Sequence, residues 1–202
     1  MFKVQKVVIE LLILMTTFSF VGCIGKIKEA SLPEALNNIK SYEAYATITF
    51  LAEGQENSLE MEQNVEIGGK YQLTIKKPPH LKDYILYFDG EKIREYNPKS
   101  QKETLAEASH ARNETMLSTF IERYRENKDI LTSKRTLDDK EVFVIEAGIP
   151  GGFKYLAKQR VYFEQEHFSP IKMEILDSQG NKTIQIEYKD FKYNSEIKWD
   201  IS

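Results

Sequence analysis

The sequence is poor in the residues from which metal sites, disulfides and nucleophilic active sites are built. Its 202 residues include one cysteine and three histidines, too few for an internal disulfide or a cysteine-rich structural zinc site. It contains no HExxH segment and no GxSxG turn, the motifs that present zinc ligands or a nucleophilic serine. These absences predict a protein that is not an enzyme and that uses no metal and no cofactor.

Two short segments could still carry chemistry, and both are better explained as connections between strands. Glu164, Glu166 and His167 are near neighbours in the sequence, but a strand would place the two glutamates on one face and the histidine on the other. The segment GIPGG at 148–152 lacks the Lys-Ser/Thr pair of a phosphate-binding loop. We interpret the first segment as a solvated turn and the second as a hairpin connection.

The chain also has no basic arm and no run of lysines or arginines. Its formal net charge is −3, and 29% of its residues are charged. A nucleic-acid partner is not expected, since such proteins carry a basic patch or a recognisable binding motif. The 41% share of apolar residues is typical of an ordinary globular domain.

The single cysteine follows the pattern of an export signal. Two lysines precede the apolar run VVIELLILMTTFSFV at 7–21, which has the length of a signal h-region and is short for a membrane span. Gly22 comes directly before Cys23, where a peptidase that cuts at this point needs a small residue. The segment FVGC resembles a bacterial lipobox, in which the cysteine is acylated and becomes the new N-terminus.

We therefore predict that residues 1–22 are a lipoprotein signal peptide and that Cys23 is the lipidation site. Residues 23–30 form a tether, and residues 31–202 form one domain. An uncleaved N-terminal anchor and an ordinary signal peptide are the alternatives. In each case the domain is exported; lipidation would hold it at the outer face of a membrane.

Period-two alternation of apolar and polar residues predicts a protein made mainly of strands. A helix precedes them, because Ser31 and Glu34 have the spacing of a capping box. Residues 101–128 contain neither proline nor glycine and are predicted to form one or two helices between two groups of strands. The predicted strands are 43–52, 59–67, 71–77, a hairpin over 82–98, 141–147, a strand within 153–170 that ends in a turn, and a hairpin over 171–194.

About ten strands joined mostly by hairpins imply one antiparallel sheet. A sheet of that length must curl, and the helices must cover one of its faces. The predicted fold class is therefore α+β: a curved antiparallel β-sheet, shaped as a half-open barrel, with helices over the concave face.

The order of these segments resembles the LolA/LolB-like superfamily of lipoprotein carriers and lipoprotein-sorting proteins. The resemblance lies in IKSYEAYATITF, in YFDGEKIREYNP and in the long segment RVYFEQEHFSPIKMEILDSQGNKTIQIEYKDFKYN. It covers most of residues 31–193. Within the superfamily the sequence is similar to the GerS-type germination lipoproteins of spore-forming clostridia.

This resemblance implies a function through binding. GerS-type proteins are partners of a cell-wall amidase of the CwlD type, which removes peptide from muramic acid in the spore cortex. The resemblance thus implies a lipid-anchored regulator of such an amidase, active in sporulation and germination, in the spore intermembrane space or the cell envelope. The alternative is a carrier or sensor of an acyl chain or lipoprotein, although the barrel arginine of those carriers has no match here.

The aromatic strands are explained first as ordinary sheet core, since aromatic residues favour strands; the alternatives are a binding surface for a partner and the lining of a cavity. An exposed strand edge could also pair with a second copy of the chain, giving a homodimer that could be strand-swapped. A deep apolar cavity would favour the carrier, whereas a concave face filled by the chain's own side chains would favour the regulator. The candidate residues are Tyr84, Leu86, Phe88, Val161 and Phe163.

Overall fold

The computed structural model describes residues 31–52, 55–107, 113–127, 130 and 132–199. Cys23, the signal peptide and the tether lie outside the described residues. Residues from Leu32 to Ser202 belong to one compact unit. Within the described part of the chain, no helix is long and apolar enough to cross a bilayer.

Among the described residues, eleven strands form a single open sheet with the order β6-β5-β4-β3-β2-β1-β11-β10-β9-β8-β7. Every described pairing between neighbours is antiparallel. Strands β1 to β6 follow one another outward from the centre of the sheet, and we call them the first wing. Strands β7 to β11 follow one another from the opposite edge back to the centre, where β11 pairs with β1, and we call them the second wing. The strands are β1 (Ser41–Ala52), β2 (Gln55–Glu66), β3 (Tyr71–Lys77), β4 (Ile85–Phe88), β5 (Lys92–Asn97), β6 (Lys102–Glu107), β7 (Thr132–Leu137), β8 (Lys140–Gly148), β9 (Lys158–Glu164), β10 (Pro170–Leu176) and β11 (Lys182–Tyr193).

The register defines two ends of the sheet. Tyr42 pairs with Tyr193 at the end where β1 begins, which we call the proximal end. Phe50 pairs with Ile184 at the opposite, distal end. The connection between β8 and β9 also lies at the distal end, because Gly148 pairs with Lys158 there.

In the described part of the chain, two α-helices cover one face of the sheet, α1 (Leu32–Asn38) and α2 (Leu117–Glu126). The alternate residues of the strands on that concave face form a single large core with the apolar side of both helices. Leu36 of α1 and Phe120 of α2 are fully buried in it. The fold class predicted from the sequence, a curved antiparallel sheet with helices on its concave face, is therefore confirmed.

Side chains from other elements fix helix α1 at its C-terminal end. The Arg125 guanidinium of α2 donates hydrogen bonds to the carbonyl oxygens of Leu36 (3.0 Å) and Ile39. The Asn194 side chain accepts a 2.6 Å hydrogen bond from the Lys40 amide. A helix C-terminus leaves carbonyl oxygens without partners and carries partial negative charge, so a cation at this position stabilises the short helix.

Three predictions of local structure were wrong, and each error has a physical cause. Residues Lys102–Glu107 form edge strand β6 rather than a helix, since pairing with β5 outweighs the helical propensity of these residues. Strand β7 was missed because its residues Thr132–Thr136 are all exposed and show no apolar alternation. Strand β9 begins at Lys158, so residues 153–157 belong to the preceding loop.

Candidate interaction surface

The predicted candidates on β9 lie deep in the core. Val161 and Phe163 are 0% exposed, and the Phe163 ring lies 6.3 Å from the ring of Phe120 in α2. They point to the concave face, where α2 covers them completely. Any ligand could reach these two residues only if helix α2 moved away from the sheet.

The candidates around β4 are more accessible. Tyr84 precedes the strand and is partly buried, and its hydroxyl donates a 2.6 Å hydrogen bond to Glu95 on β5. Burial and this bond raise the Tyr84 pKa to about 12. Leu86 and Phe88 are partly buried and pack against the core cluster. All three residues therefore remain near the surface of the first wing.

Helix α2 is held to the sheet by a buried polar cluster that the sequence did not reveal. Arg123, on α2, donates hydrogen bonds to the side chain of Gln159 on β9 and to Glu114, the latter at 2.7 Å. The Gln159 side chain donates in turn to the Glu114 carbonyl oxygen at 2.7 Å. Arg123 is 6% exposed and Gln159 is 0% exposed. Because both side chains find partners inside the protein, their burial does not leave an uncompensated charge.

Apolar side chains of α2 fill the space beneath the helix. Leu117, Phe120 and Ile121 are 0% exposed. Burying side chains of this size stabilises a fold by about 2 kcal/mol each. Moving α2 away from the sheet would therefore remove a large part of the free energy of unfolding, which is typically about 5–15 kcal/mol in total. The concave face is thus filled by the chain's own residues at this position.

Two of the cavities lined by described residues lie against the sheet. One, of about 230 Å³, lies between the start of α2 and the turn after β2, and its lining includes Tyr71, Phe88 and Glu122. Its volume is below the range of about 300–1,000 Å³ that is usual for small-molecule sites. The other, of about 440 Å³, lies against the end of β8 near Gly148 and Lys158.

Exposed apolar side chains collect at the distal end of the sheet. Among the described residues, five large apolar side chains are exposed, and three of them are at this end. Phe153 and Tyr155, in the loop between β8 and β9, are 60% and 63% exposed, and Phe50 near the end of β1 is 41% exposed. We call these three residues the distal patch.

The loop that carries Phe153 and Tyr155 is firmly built. The Ile149 amide donates to the Ala157 carbonyl at 2.8 Å, and the Ser178 amide donates to the Lys154 carbonyl at 2.9 Å. The Thr183 hydroxyl donates to the Tyr155 carbonyl at 2.9 Å. Since Thr183 precedes Ile184, the pairing partner of Phe50, this bond brings the loop beside the end of β1.

Residue types in the loop could have indicated this surface. Pro150, Gly151 and Gly152 break the strand pattern before the two aromatic residues, and both glycines have positive φ angles of 112° and 66°. An added Cβ at Gly151 would lie 2.6 Å from the Phe153 ring. A Pro-Gly-Gly cluster marks a loop, so the residues that follow it need not begin a strand, and the strand prediction from residue 153 overlooked this signal.

The convex face of the second wing carries a network of ion pairs. Glu174 lies at its centre, with side-chain exposure of 9%, and contacts Arg160 at 3.4 Å and Lys172 at 3.2 Å. The Tyr162 hydroxyl donates to the same carboxylate at 3.0 Å. The Arg160 Nε atom also lies 2.7 Å from the Glu146 Oε1 atom. These ion pairs join strands β8, β9 and β10 across the convex face.

Across the described residues there is no group of three or more His, Cys, Asp or Glu side chains placed to bind a metal. His167 follows β9 in a turn, where its amide donates a 3.0 Å hydrogen bond to the Glu164 carboxylate. His80 lies in the 3₁₀ helix Pro79–Leu81. His110 and Cys23 are outside the described residues.

Comparison with known proteins agrees with this architecture. Residues 3–201 match the family described as "Sporulation protein YdcC-like". A search of curated proteins finds no match.

Solved structures that are similar to this chain include one of a complex. A chain from the structure of the CwlD amidase from Clostridioides difficile in complex with the GerS lipoprotein is 25% identical, with a TM-score of 0.53 over 80% of this chain and 91% of that chain. An uncharacterised conserved protein from Thermus thermophilus is 11% identical, with a TM-score of 0.51 over 80% and 83%. A LolA superfamily protein from Nitrosomonas europaea is 14% identical, with a TM-score of 0.41 over 82% and 93%. The resemblance predicted from the sequence segments is confirmed.

Proposed function

This chain belongs to the family of YdcC-like sporulation proteins, and we propose that it is a lipid-anchored binding protein without catalytic activity. Its role is to regulate a spore-cortex N-acetylmuramoyl-L-alanine amidase by direct contact. Its output comes through the partner, because its sequence contains neither an HExxH segment nor a GxSxG turn.

One observation carries the proposal of an amidase partner. The chain is 25% identical, over 80% of its length, to a chain of the complex between the CwlD amidase and the GerS lipoprotein. We assign this match to the lipoprotein of that complex, because the sequence resembles GerS-type proteins. The proposal extends the partner from that complex to the present chain.

The anchor is a lipid on Cys23, followed by the tether 24–30, and the domain lies outside the cytoplasm. The motivation is the FVGC segment after the apolar run at 7–21. Exchange of Cys23→Ala should abolish metabolic labelling with an alkyne fatty acid and release the chain from the membrane fraction. Labelling that persists in this variant would disprove the lipidation site.

The distal patch is the surface that fits a protein partner best. Three exposed aromatic rings, held by a hydrogen-bonded loop, can supply a few hundred Å² of apolar contact. A specific complex buries at least about 1,000 Å² in total, so the patch would form the centre of a larger interface. The preformed loop also lowers the entropic cost of binding.

An acyl-chain carrier is less consistent with the packing. Helix α2 fills the concave face with buried apolar side chains, and the Arg123–Gln159 contact fixes the helix to β9. A carrier would need this space for its ligand. The open strand edges β6 and β7 do leave room for self-association, including a homodimer by strand exchange.

A muropeptide assay tests the proposal. Residues 24–202 are mixed with the amidase of the same organism and with cortex peptidoglycan, and the products are separated by liquid chromatography and mass spectrometry. The mixture should cleave the muramic acid–peptide bond at a rate that differs from the amidase alone by tenfold or more. Equal rates with and without the chain would reject the regulatory role.

A matched pair of variants tests the surface. Phe153→Ser with Tyr155→Ser should reduce the effect on the amidase at least tenfold. Leu105→Ser, which changes an equally exposed apolar residue on edge strand β6, should leave the effect intact. If the two variants behave alike, the distal patch is not the contact surface.

A further inference from the structure

A lysine side chain lies within the distal patch. The connection between β8 and β9 reads IPGGFKYLA at 149–157, and its one charged residue is Lys154, between the two aromatic residues. The Lys154 Nζ atom lies 5.3 Å from the centroid of the Tyr155 ring, and that side chain is 63% exposed. The ammonium group is therefore part of the patch rather than a distant surface charge.

The backbone of the loop fixes the point from which this side chain extends. The Lys154 carbonyl oxygen accepts a 2.9 Å hydrogen bond from the Ser178 amide, and the Tyr155 carbonyl oxygen accepts one of 2.9 Å from the Thr183 hydroxyl. Both donors belong to the hairpin of β10 and β11. The cation and the Tyr155 ring thus stay together on the surface of the protein.

The Lys154 ammonium has no acid beside it to neutralise its charge. Within the described part of the chain, Lys154 forms no ion pair. The adjoining turn at 177–181 contains one acid, Asp177, whose carboxylate accepts 2.8 Å hydrogen bonds from the amides of Gln179 and Asn181. This acid stabilises its own turn, so the charge of Lys154 is available to a partner.

The β1 side of the patch differs in charge. The connection between β1 and β2 contains Glu53 and Glu56, and Glu56 pairs with Leu51, the residue after Phe50. The positive charge therefore belongs to the loop side of the patch and not to the whole distal end.

Any interface that buries the two loop rings also removes water from the Lys154 ammonium. An ammonium group that loses its hydration without gaining a partner costs several kcal/mol, and its contact with an aromatic ring returns only about 0.5–2 kcal/mol. A carboxylate placed opposite the lysine compensates the loss of hydration. The same pair also fixes the orientation of the partner, because a like charge there is repelled.

We propose that the distal patch binds an apolar pocket on a protein partner and that this pocket carries a carboxylate at its border. The pocket takes up the Phe153 and Tyr155 rings, and the carboxylate pairs with Lys154. The inference rests on the proposed function for the identity of this partner as the amidase. The chemistry of the contact rests on the loop itself.

Exchange of charge at one position tests the carboxylate. The amidase of the same organism is immobilised for biolayer interferometry, and residues 24–202 are the analyte. Lys154→Glu should weaken binding at least tenfold, because it brings two carboxylates together, whereas Lys154→Arg should retain binding. Lys140→Glu, at the opposite end of β8, should have no effect, and thermal unfolding verifies that each variant is folded. Equal affinity of the wild type and Lys154→Glu would overturn the inference.

Two dyes test the chemistry of the patch without any amidase. Anilinonaphthalene sulfonate and phenylnaphthylamine share an aromatic framework, and the sulfonate of the first stands in for the carboxylate. In fluorescence titrations Lys154→Glu should weaken the anionic dye at least tenfold and leave the neutral dye unchanged, while Phe153→Ser with Tyr155→Ser should weaken both. Equal binding of the anionic dye to the wild type and Lys154→Glu would contradict the proposed chemistry.

An anionic membrane surface is another class of partner that aromatic and lysine side chains can fit. Residues 24–202 are therefore sedimented with vesicles of phosphatidylglycerol, and the chain should remain in the supernatant. Sedimentation that is lost with Phe153→Ser and Tyr155→Ser would assign the patch to lipid and overturn the inference.

These measurements separate the inference from the proposed function. If the amidase binds the wild type and Lys154→Glu equally but not the variant with Phe153→Ser and Tyr155→Ser, the amidase contact stands and the acidic border is refuted. If the amidase binds none of them while the anionic dye distinguishes the wild type from Lys154→Glu, the patch has the proposed chemistry and the amidase is not its partner.

Discussion

At the scale of single residues, the least predictable feature is the buried polar cluster around Arg123. In the sequence Arg123 is one of several charged residues in a polar helix. In the fold it is 6% exposed and connects α2 with Gln159 on β9 and with Glu114. Sequence periodicity cannot identify such a residue, because its partner is distant in the chain and its burial depends on tertiary packing.

Removal of Arg123 should therefore destabilise the protein strongly. Arg123→Met removes the cation that pairs with the Glu114 carboxylate and donates to the Gln159 side chain in a buried site, and loss of such a partner typically costs about 3–5 kcal/mol. Urea unfolding followed by circular dichroism measures the loss. The control Arg94→Met removes a guanidinium whose side chain is 36% exposed and whose ion pairs are 3.7–4.0 Å long, so about 0–1 kcal/mol is expected. Similar losses in both variants would disprove the structural role of the cluster.

Tyrosine ionisation should weaken the fold in alkali. Burial and a hydrogen bond to Glu95 raise the pKa of Tyr84 to about 12, and a hydrogen bond to Glu60 raises that of Tyr45 to about 12. The stabilisation linked to each neutral hydroxyl is present below the unfolded pKa of about 10 and is lost as the pH rises through the folded value.

The unfolding free energy of the wild type should thus fall between pH 10 and 12. Tyr84→Phe should reduce the steepness of this fall, and Tyr45→Phe with Tyr84→Phe should reduce it further. Chemical unfolding at a series of pH values tests the sign and the order. A wild type and a double variant with parallel pH profiles would contradict the assignment.

At the scale of elements, the strands with one buried face were predictable and the exposed ones were not. Alternation identified β1, where Ala44, Ala46 and Ile48 are buried as expected. It failed for edge strands β6 and β7, because an edge strand with exposed side chains has no apolar period. The same limitation applies to the candidate surface: aromatic strands suggested Val161 and Phe163, which are core residues, while the exposed Phe153 lies in a loop.

The loop between β8 and β9 supplies the prediction at this scale. Gly151→Ala places a side chain at a φ of 112° and brings its Cβ within 2.6 Å of the Phe153 ring. Such backbone strain costs on the order of 1–3 kcal/mol, and the ring must also move. Gly148→Ala, in the same region, meets open space and should be neutral or stabilising by up to about 1 kcal/mol.

Unfolding free energies and amidase binding should be measured for both variants. Gly151→Ala should lower both quantities, because the ring that it displaces belongs to the distal patch. Gly148→Ala should lower neither. Equal stability of the two variants would mean that the loop conformation is not constrained as described.

At the scale of the whole molecule, the architecture was predictable and the occupant of its concave face was not. Hairpin connections along the sequence sufficed to indicate one curled antiparallel sheet, as observed in the eleven-stranded order. The sequence does not show how closely α2 packs against the sheet. That packing decides whether the concave face contains a ligand cavity or the chain's own side chains. Leu117, Phe120 and Ile121 at 0% exposure favour a protein that binds with its outer surfaces.

The central claim is that the distal patch binds a cell-wall amidase. Size-exclusion chromatography with light scattering, on residues 24–202 mixed with the amidase of the same organism, tests it most directly. We expect a single new peak whose mass equals the mass of a defined complex of the two chains. The peak should be lost in the variant with Phe153→Ser and Tyr155→Ser. Separate elution of the two proteins at micromolar concentration would contradict it.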